Sequence, residues 1–278
     1  MMKLVLTGAA GRLGSYLREP LAAMCDTLVS TDIAEDIGTL YPGESYVRAD
    51  LADMAQIAPV LEGADMVIHF GAIVDEKPFE ELLGPNFVGS YNIWEAGYKA
   101  GVKRIVYASS IHAVGMYEKS EFIGTSVEHR PDTFYGLAKC FTEDLGRMYW
   151  EKRALESVHL RILSCAQVNN SRALGSWLSY DDLIQLVTRA IDTPSVGFTI
   201  AYGVSANDRA PVDNTSAAFL GYRPKDNAEQ FAAQILADEG PVDVNDPGQM
   251  CHGGPFAKVD LGQSGMAHLN VIDDRKET

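Results

Sequence analysis

The stretch KLVLTGAAGRLG at residues 3–14 decides the fold of this chain. Its apolar first half predicts a β-strand over Lys3–Thr7, and its second half predicts the start of a helix over Arg12–Ala23. Glycines three residues apart at such a turn allow a tight bend and a close approach of the backbone to a pyrophosphate, which the helix N-terminus then binds. The residues of this turn predicted to contact a dinucleotide are Gly8, Gly11, Arg12, Leu13 and Gly14.

Strand-like and helix-like patterns alternate outward from this turn. Further strands are predicted at Thr27–Asp32, Ser45–Ala49, Met66–Phe70, Arg104–Ala108 and Ser157–Leu163. Further helices are predicted at Asp53–Leu61, Phe87–Ala100 and Thr133–Arg153. Several of these strands are apolar on both faces, as in a parallel sheet covered by helices on both sides. The predicted fold class is therefore α/β, a doubly wound parallel Rossmann sheet with a small C-terminal substrate cap.

The alternation breaks after Cys165, which predicts a division of the chain. Residues 1–165 are predicted to form the dinucleotide-binding Rossmann domain with the catalytic side chains. Residues 166–278 are predicted to supply small substrate-binding segments and a C-terminal tail that partly return to the core. This part includes a helix near Tyr180–Ile191, a short strand at Phe198–Tyr202 and a Gly-, Asp- and Pro-rich tail from about Asp243.

Composition and charge exclude several classes of partner. The 278 residues carry a formal net charge of −15, which repels nucleic-acid phosphates and anionic lipid head groups. No apolar run approaches a membrane span, and the N-terminal run is too short for a signal peptide. The four cysteines show no paired spacing, and Cys251-His252 lacks further ligands nearby, so no metal site is predicted. The protein is expected to be cytoplasmic, with free thiols.

Residues at the ends of later strands complete the predicted cofactor site. Asp32 ends the second predicted strand, where a carboxylate binds the adenosine ribose hydroxyls and repels a 2′-phosphate, so NAD is predicted over NADP. The alternative role for Asp32 is that of a turn residue. Asp50, followed by Leu51, either reaches the adenine amino group or caps the next helix. The small residues Gly71 and Ala72 let the backbone lie against the cofactor ribose.

The segment YGLAK at residues 135–139 predicts the reaction chemistry. Tyr135 and Lys139 are one helical turn apart, so they share a face of the predicted helix. A neighbouring ammonium favours the phenolate, which makes the tyrosine a general base. Ser110 ends the fifth strand, where its hydroxyl can bond the reacting oxygen. Because the carboxyl ends of parallel strands meet at one crevice, these three residues are predicted to form a catalytic group beside the glycine turn.

Together, TGxxGxxG, the acid after the second strand, the serine after the fifth strand and YxxxK resemble the extended short-chain dehydrogenase/reductase superfamily. Within it the chain looks like the uronate dehydrogenases over nearly its whole length. The more specific segments are EKPFE at 76–80, SSIHAVG at 109–115, SYDD at 179–182 and PKDNAE at 224–229. The resemblance implies NAD-dependent oxidation of a CH–OH group, in which glucuronate or galacturonate is oxidised at C1 to the aldarolactone.

The resemblance also assigns the substrate contacts. It implies that Arg172 holds the substrate carboxylate and that His112 and Ser164 contact the sugar. An anionic sugar approaching a protein of charge −15 needs a local cation, which independently favours Arg172, although an exposed loop arginine is the alternative. His112 is alternatively a packed structural residue. Ile111 and Val74 depart from the pattern, since an asparagine and a serine are expected there.

Two other functions remain open from the sequence. One is a nucleotide-sugar epimerase or dehydratase of the same fold, although His112 and Ile111 stand where a dehydratase would need an acid pair. The other is a non-catalytic NAD-sensing protein, although such proteins often lose the tyrosine or the lysine. By analogy with related folds, the helices Phe87–Ala100 and Thr133–Arg153 are predicted to pair subunits in a homo-oligomer.

Overall fold

The central feature of the computed structural model, which describes residues 1–237 and 239–268, is a parallel sheet. Within the described ranges this sheet has seven strands, β1 Lys3–Thr7, β2 Thr27–Asp32, β3 Glu44–Arg48, β4 Met66–His69, β5 Arg104–Tyr107, β7 Glu156–Ile162 and β8 Phe198–Gly203. Their order across the sheet is β3-β2-β1-β4-β5-β7-β8. A small parallel pair lies outside it, formed by β6 Ile123–Gly124 and β9 Val212–Asp213.

Helices connect these strands. They are α1 Arg12–Met24, α2 Met54–Leu61, α3 Phe79–Leu82, α4 Gly89–Ala100, α5 Phe134–Arg153, α6 Ala173–Ser176, α7 Tyr180–Asp192, α8 Ala232–Ala237 and α9 Pro247–Met250. A π-helical segment, Leu83–Val88, leads into α4, and a short 3-10 helix, Ile111–Val114, follows β5. Within the described residues, every helix is too short or too polar to cross a bilayer.

Alternating side chains of the strands build two apolar layers. Leu4 and Leu6 on β1 are fully buried in one cluster, to which α1 and α7 contribute. Val5, between them, points to the other face and joins a cluster that includes Ile93 of α4 and Leu145 of α5. This two-sided burial explains the continuous apolar runs and confirms the predicted doubly wound α/β sheet.

The strand order reverses next to β1, and this reversal places the site. The chain runs from β1 outward through β2 and β3, then returns to pair β4 with the other side of β1. Helices on opposite faces leave a crevice at the carboxyl ends of these strands, which is where ligands bind in open α/β sheets. The segments after β1, β2, β4, β5 and β7 all meet at this edge.

The chain after Cys165 contributes to both the sheet and its cover. β8 pairs in parallel with β7 along its whole length, and α7 packs against α1. The later segment 251–256 returns to the carboxyl edge of the sheet, where Gly253 and Phe256 line the cavity described below. The predicted division between residues 165 and 166 stays a prediction, and the last ten residues of the predicted tail, 269–278, lie outside the described residues.

Candidate active site

The glycine turn after β1 has a geometry that other residues cannot adopt. Gly8 has a φ of +75°, and a Cβ there would lie 2.6 Å from the backbone nitrogen of Gly71. A Cβ at Gly14 would collide with the carbonyl oxygen of Gly8. These two glycines therefore hold β1, α1 and the end of β4 in close contact. The first residues of α1 line the cavity described below, and the first N–H groups of a helix have no partner within the helix.

A cavity of about 980 Å³ runs along the carboxyl edge of the sheet. It is lined by all of the residues predicted from the sequence to bind a cofactor, which are Gly8, Gly11, Arg12, Leu13, Gly14, Asp32, Asp50, Leu51, Gly71 and Ala72. The residues predicted for catalysis and substrate binding line the same cavity, namely Ser110, His112, Tyr135, Lys139, Ser164 and Arg172. The structure thus brings the two predicted groups into one continuous site.

Asp32 lines the cavity beside the glycine turn. Its Oδ2 accepts a hydrogen bond of 3.0 Å from the backbone nitrogen of Ala10, and its Oδ1 accepts one of 2.7 Å from that of Ile33. The carboxylate is therefore fixed against the glycine turn. Asp53 caps α2 by accepting from the nitrogen of Ala55, so the alternative of Asp50 as the cap of this helix is wrong.

Two of the three residues predicted for catalysis, Tyr135 and Lys139, lie at the start of α5. Thr133 caps this helix by accepting from the nitrogen of Gly136, which places Tyr135 in the first turn. The Lys139 ammonium is 5.2 Å from the ring centroid of Tyr135 and donates a 2.7 Å hydrogen bond to the carbonyl of Ala108. Ser110 lines the same cavity as Tyr135, and hydrogen bonding from its side chain lowers the pKa of that tyrosine. The predicted serine, tyrosine and lysine therefore converge on one point of the cavity.

Burial controls the ionisation of this group. It raises the pKa of Tyr135 above its usual range, and the hydrogen bond from Ser110 opposes this change. It lowers the pKa of Lys139 to about 7, against the attraction of Glu143. Both shifts disfavour charge in the protein alone. An additional positive charge in the cavity would favour the phenolate, which is the form a general base requires.

Arg172 has an unused hydrogen-bond donor. Its Nη2 donates to the carbonyl of His252 at 2.9 Å, while its Nε is buried and has no hydrogen-bond partner within residues 1–237 and 239–268. Burial lowers the pKa of the guanidinium to about 10, with Asp132 acting in the opposite direction, so the group stays cationic at neutral pH. The alternative of an exposed loop arginine is therefore wrong.

His112 and Ser164, the predicted sugar contacts, line the same cavity as Tyr135. His112 Nδ1 is 2.7 Å from Oδ2 of Asp132, and its ring stacks on Phe256 with a centroid distance of 4.1 Å. Ser164 follows β7 and forms an isolated bridge with Trp177. Each of the two residues therefore has a side that faces the cavity.

Ile111 and Val74, the two departures from the expected pattern, differ in whether they line the cavity. Ile111 is fully buried in an apolar cluster with Val114 and Ile123 and does not line the cavity, because the 3-10 helix turns its side chain away. Val74 lines the cavity and has an exposed fraction of 58%. Of the two, only Val74 is in a position to alter contacts with a sugar.

Two buried carboxylates at the site were not predicted. Glu76 is fully buried, where Oε2 accepts from the backbone nitrogen of Tyr135 and Oε1 from that of Gly262, each at 2.8 Å. Asp132 holds His112 and is likewise inaccessible to solvent. Glu76 lies in one of the segments that carry the resemblance, and Asp132 directly precedes the cap of α5. Sequence spacing alone does not reveal that the carboxylate at either position is buried.

Comparison with known proteins first gives the class. A model of the NAD dependent epimerase/dehydratase family matches residues 4–166, more than half of the chain, and the chain belongs to that family. The fold and the site that the structure builds around the glycine turn agree with this membership.

The comparison then identifies closer relatives. Uronate dehydrogenase of Pseudomonas putida is 45% identical over 256 residues, covering 92% of this chain and 95% of its own. A solved mutant uronate dehydrogenase from Agrobacterium tumefaciens, complexed with NAD, is 41% identical with a TM-score of 0.89, covering 94% of this chain and 98% of that chain. Glucuronic acid dehydrogenase from Chromohalobacter salexigens is 38% identical with a TM-score of 0.90, covering 93% and 97%. The predicted resemblance to the uronate dehydrogenases is confirmed.

Proposed function

We propose that this protein oxidises a hexuronate, D-glucuronate or D-galacturonate, at C1 to the aldarolactone with NAD as the oxidant. The observation that carries the proposal is the cationic guanidinium of Arg172 in the same cavity as Ser110, Tyr135 and Lys139. A guanidinium binds a carboxylate through charge-assisted hydrogen bonds, which favours an anionic substrate. The uronate substrate in the names of the relatives carries such a carboxylate.

The cavity fits NAD at its glycine-turn end. Gly8, Gly11 and Gly14, with Arg12 and Leu13, would hold the pyrophosphate at the N-terminus of α1. Asp32 would bind the adenosine ribose, and Asp50 with Leu51 would face the adenine. Gly71 and Ala72 leave room for the second ribose, to which Lys139 would also bind. When bound, NAD supplies the acceptor for the hydride that leaves C1 and a positive charge near Tyr135.

The side chains of this protein handle the proton and the substrate. Tyr135, as the phenolate, takes the proton from the anomeric hydroxyl while the C1 carbonyl of the lactone forms. Ser110 bonds the same oxygen and stabilises its developing charge. Lys139, held by the carbonyl of Ala108, favours the phenolate electrostatically. Arg172 fixes the carboxylate at the other end of the sugar.

The remaining substrate contacts come from the edges of the cavity. We propose that His112 and Ser164 bind ring hydroxyls and that Val74 provides an apolar contact near the entrance. In this assignment residues 1–165 bind the cofactor and carry the catalytic group, whereas residues 166–278 supply Arg172 and cover the substrate.

An absorbance assay of NADH formation tests the proposal. The purified protein with NAD is expected to form NADH with D-glucuronate or D-galacturonate, and far more slowly with D-glucose or UDP-glucuronate. Turnover of nucleotide sugars alone would indicate the epimerase or dehydratase alternative. A thermal shift with NAD and no turnover of any sugar would indicate an NAD-sensing protein.

Asp32→Ala is expected to relax the preference for NAD over NADP. The carboxylate that binds the ribose hydroxyls also repels a 2′-phosphate, so its removal weakens NAD and admits NADP. We expect the ratio of kcat/KM for NAD to that for NADP to fall by about tenfold or more, since one hydrogen-bonded charge contributes about 1.5–3 kcal/mol. Asp53→Ala, a cap of α2 outside the cavity, is the control. An unchanged ratio would mean that Asp32 is misassigned.

We propose that the functional unit is a homo-oligomer in the cytoplasm. The outer faces of α4 and α5 expose apolar side chains, including Tyr91, Leu137, Phe141 and Met148. Two copies of this face would cover each other in a two-fold interface. Light scattering is expected to give a molar mass of at least two chains, and Phe141→Glu with Met148→Glu is expected to lower it. A single-chain mass for the unaltered protein would contradict this assembly.

The four cysteines are free. Free thiols are typical of a reducing compartment, which supports the proposed location in the cytoplasm.

A further inference from the structure

Asp132 occupies a space beside the cavity that only glycines leave open. Its side chain is inaccessible to solvent. A Cβ at Gly115 or at Gly253 would collide with Oδ2 of Asp132. Gly115 follows the 3-10 helix after β5, whereas Gly253 belongs to the returning C-terminal segment. Two distant parts of the chain therefore make room for this one carboxylate, although burying a charge is costly unless it is compensated.

The hydrogen bonds of Asp132 determine which nitrogen of His112 carries a proton. Oδ2 is 2.7 Å from His112 Nδ1, and Oδ1 accepts a 2.8 Å hydrogen bond from the hydroxyl of Thr133. An ionised carboxylate only accepts hydrogen bonds, so the proton lies on Nδ1. In the neutral ring the lone pair is then on Nε2, which becomes a hydrogen-bond acceptor.

The ring of His112 is held beside the reacting groups. It stacks on Phe256 and lies edge-on to Tyr135 with a centroid distance of 5.6 Å. Its backbone nitrogen donates to Oγ of Ser110 at 3.2 Å. Nε2 has no hydrogen-bond partner in the described part of the chain, and the residue lines the cavity. The acceptor is therefore available to a ligand held by Ser110 and Tyr135.

We propose that Asp132 is a positioning residue that fixes the Nδ1–H tautomer of His112. In this tautomer Nε2 accepts a hydrogen bond from the sugar hydroxyl next to the reacting one, the C2 hydroxyl of a hexuronate. The identity of that hydroxyl rests on the function proposed above, whereas the tautomer does not. The arrangement selects substrates that carry a donor at this carbon.

Asp132→Asn is a near-isosteric variant that reverses the tautomer. The Thr133 hydroxyl already accepts from the nitrogen of Gly136, so its proton still needs an acceptor in the variant. The amide oxygen of the asparagine satisfies it, which turns the NH₂ group toward His112 Nδ1. Nδ1 must then accept, so the proton moves to Nε2. The variant thus changes Nε2 from an acceptor to a donor without leaving a cavity.

The first experiment measures the tautomer in the protein without substrate or cofactor. Long-range ¹H–¹⁵N correlation spectra of the histidine rings distinguish the two tautomers, and His112→Gln identifies the signal. We expect Nδ1–H in the unaltered protein and Nε2–H in Asp132→Asn. Thr133→Ala, which removes the cap of α5 but leaves the carboxylate, is expected to lower Tm and keep Nδ1–H. Nε2–H in the unaltered protein would overturn the proposal, whatever its activity.

The second experiment uses a modified substrate to test whether Nε2 of His112 accepts a hydrogen bond from the sugar. In 2-deoxy-2-fluoro-D-glucuronate a fluorine that cannot donate replaces the C2 hydroxyl. We expect its KM to exceed that of D-glucuronate by about tenfold in the unaltered protein, and this ratio to fall severalfold in Asp132→Asn. Both sugars carry the carboxylate, so any change at Arg172 cancels in the ratio. An equal ratio in both proteins would overturn the assigned hydroxyl. If the spectra show Nδ1–H but the protein does not oxidise glucuronate, the proposed function is overturned and the tautomer assignment stands.

Discussion

Tyr135→Phe is expected to lower kcat for D-glucuronate by about 10²- to 10⁴-fold, the range that a positioned proton-transfer group contributes. The phenyl ring fills the same volume but cannot take the proton of the anomeric hydroxyl. Ser110 and Lys139 remain in place, since the lysine is held by the carbonyl of Ala108 rather than by the phenol. The affinity for NAD is therefore expected to stay within about twofold, a change of about 0.4 kcal/mol.

The same helix provides a matched control for this substitution. Tyr149 lies on α5 with its hydroxyl 2.7 Å from Glu95, and it does not line the cavity. Tyr149→Phe removes one hydrogen bond from α5, so a small loss of Tm is expected with no change in kcat. Stopped-flow measurement of NADH formation separates the chemical step from product release. Turnover of Tyr135→Phe within tenfold of the unaltered protein would contradict its role as the base.

The parts of the site that sequence could predict are those fixed by local geometry. A glycine at φ +75° after an apolar strand, such as Gly8, has a direct sequence signature. Tyr135 and Lys139 are one helical turn apart, so their shared face follows from helical periodicity. The convergence of Ser110 with them follows from the parallel sheet, because all strands end at the same edge.

The parts that could not be predicted depend on contacts between distant segments. Glu76 accepts hydrogen bonds from the backbone nitrogens of Tyr135 and Gly262, which lie 59 and 186 residues after it in the chain, and no local pattern reveals such a link. The space around Asp132 depends on Gly253, which the sequence places only in a glycine-rich tail. Ile111 stands where the resemblance leads one to expect an asparagine, and a single turn of 3-10 helix directs its side chain into the apolar cluster. Side-chain direction at such a turn depends on packing, which the sequence does not specify by itself.

Arg172 presents the opposite case, in which sequence predicted the residue but not its environment. The structure buries its guanidinium under Gly254, whose φ is +60° and whose missing side chain leaves room for Nε. Its Nη2 donates to the carbonyl of His252 at 2.9 Å, so the orientation of the planar group is fixed before a substrate arrives. A fixed guanidinium loses less conformational entropy on binding than a free one. We therefore propose that Arg172 determines the affinity for the substrate rather than its turnover.

Arg172→Ala is therefore expected to raise KM for D-glucuronate by about 10- to 100-fold, because a hydrogen bond to a charged group contributes about 1.5–3 kcal/mol. D-glucose lacks the carboxylate, so the KM for its slow oxidation is expected to change by less than about threefold, or ~0.7 kcal/mol. Arg209→Ala is the control, since that arginine forms an exposed pair with Glu229 outside the cavity. Arg172→Lys keeps the charge without the guanidinium fork and is expected to restore part of the loss. An equal rise in KM for glucose and glucuronate would mean that Arg172 shapes the cavity and does not recognise the carboxylate. The ratio of the two KM values therefore separates recognition from packing at this position.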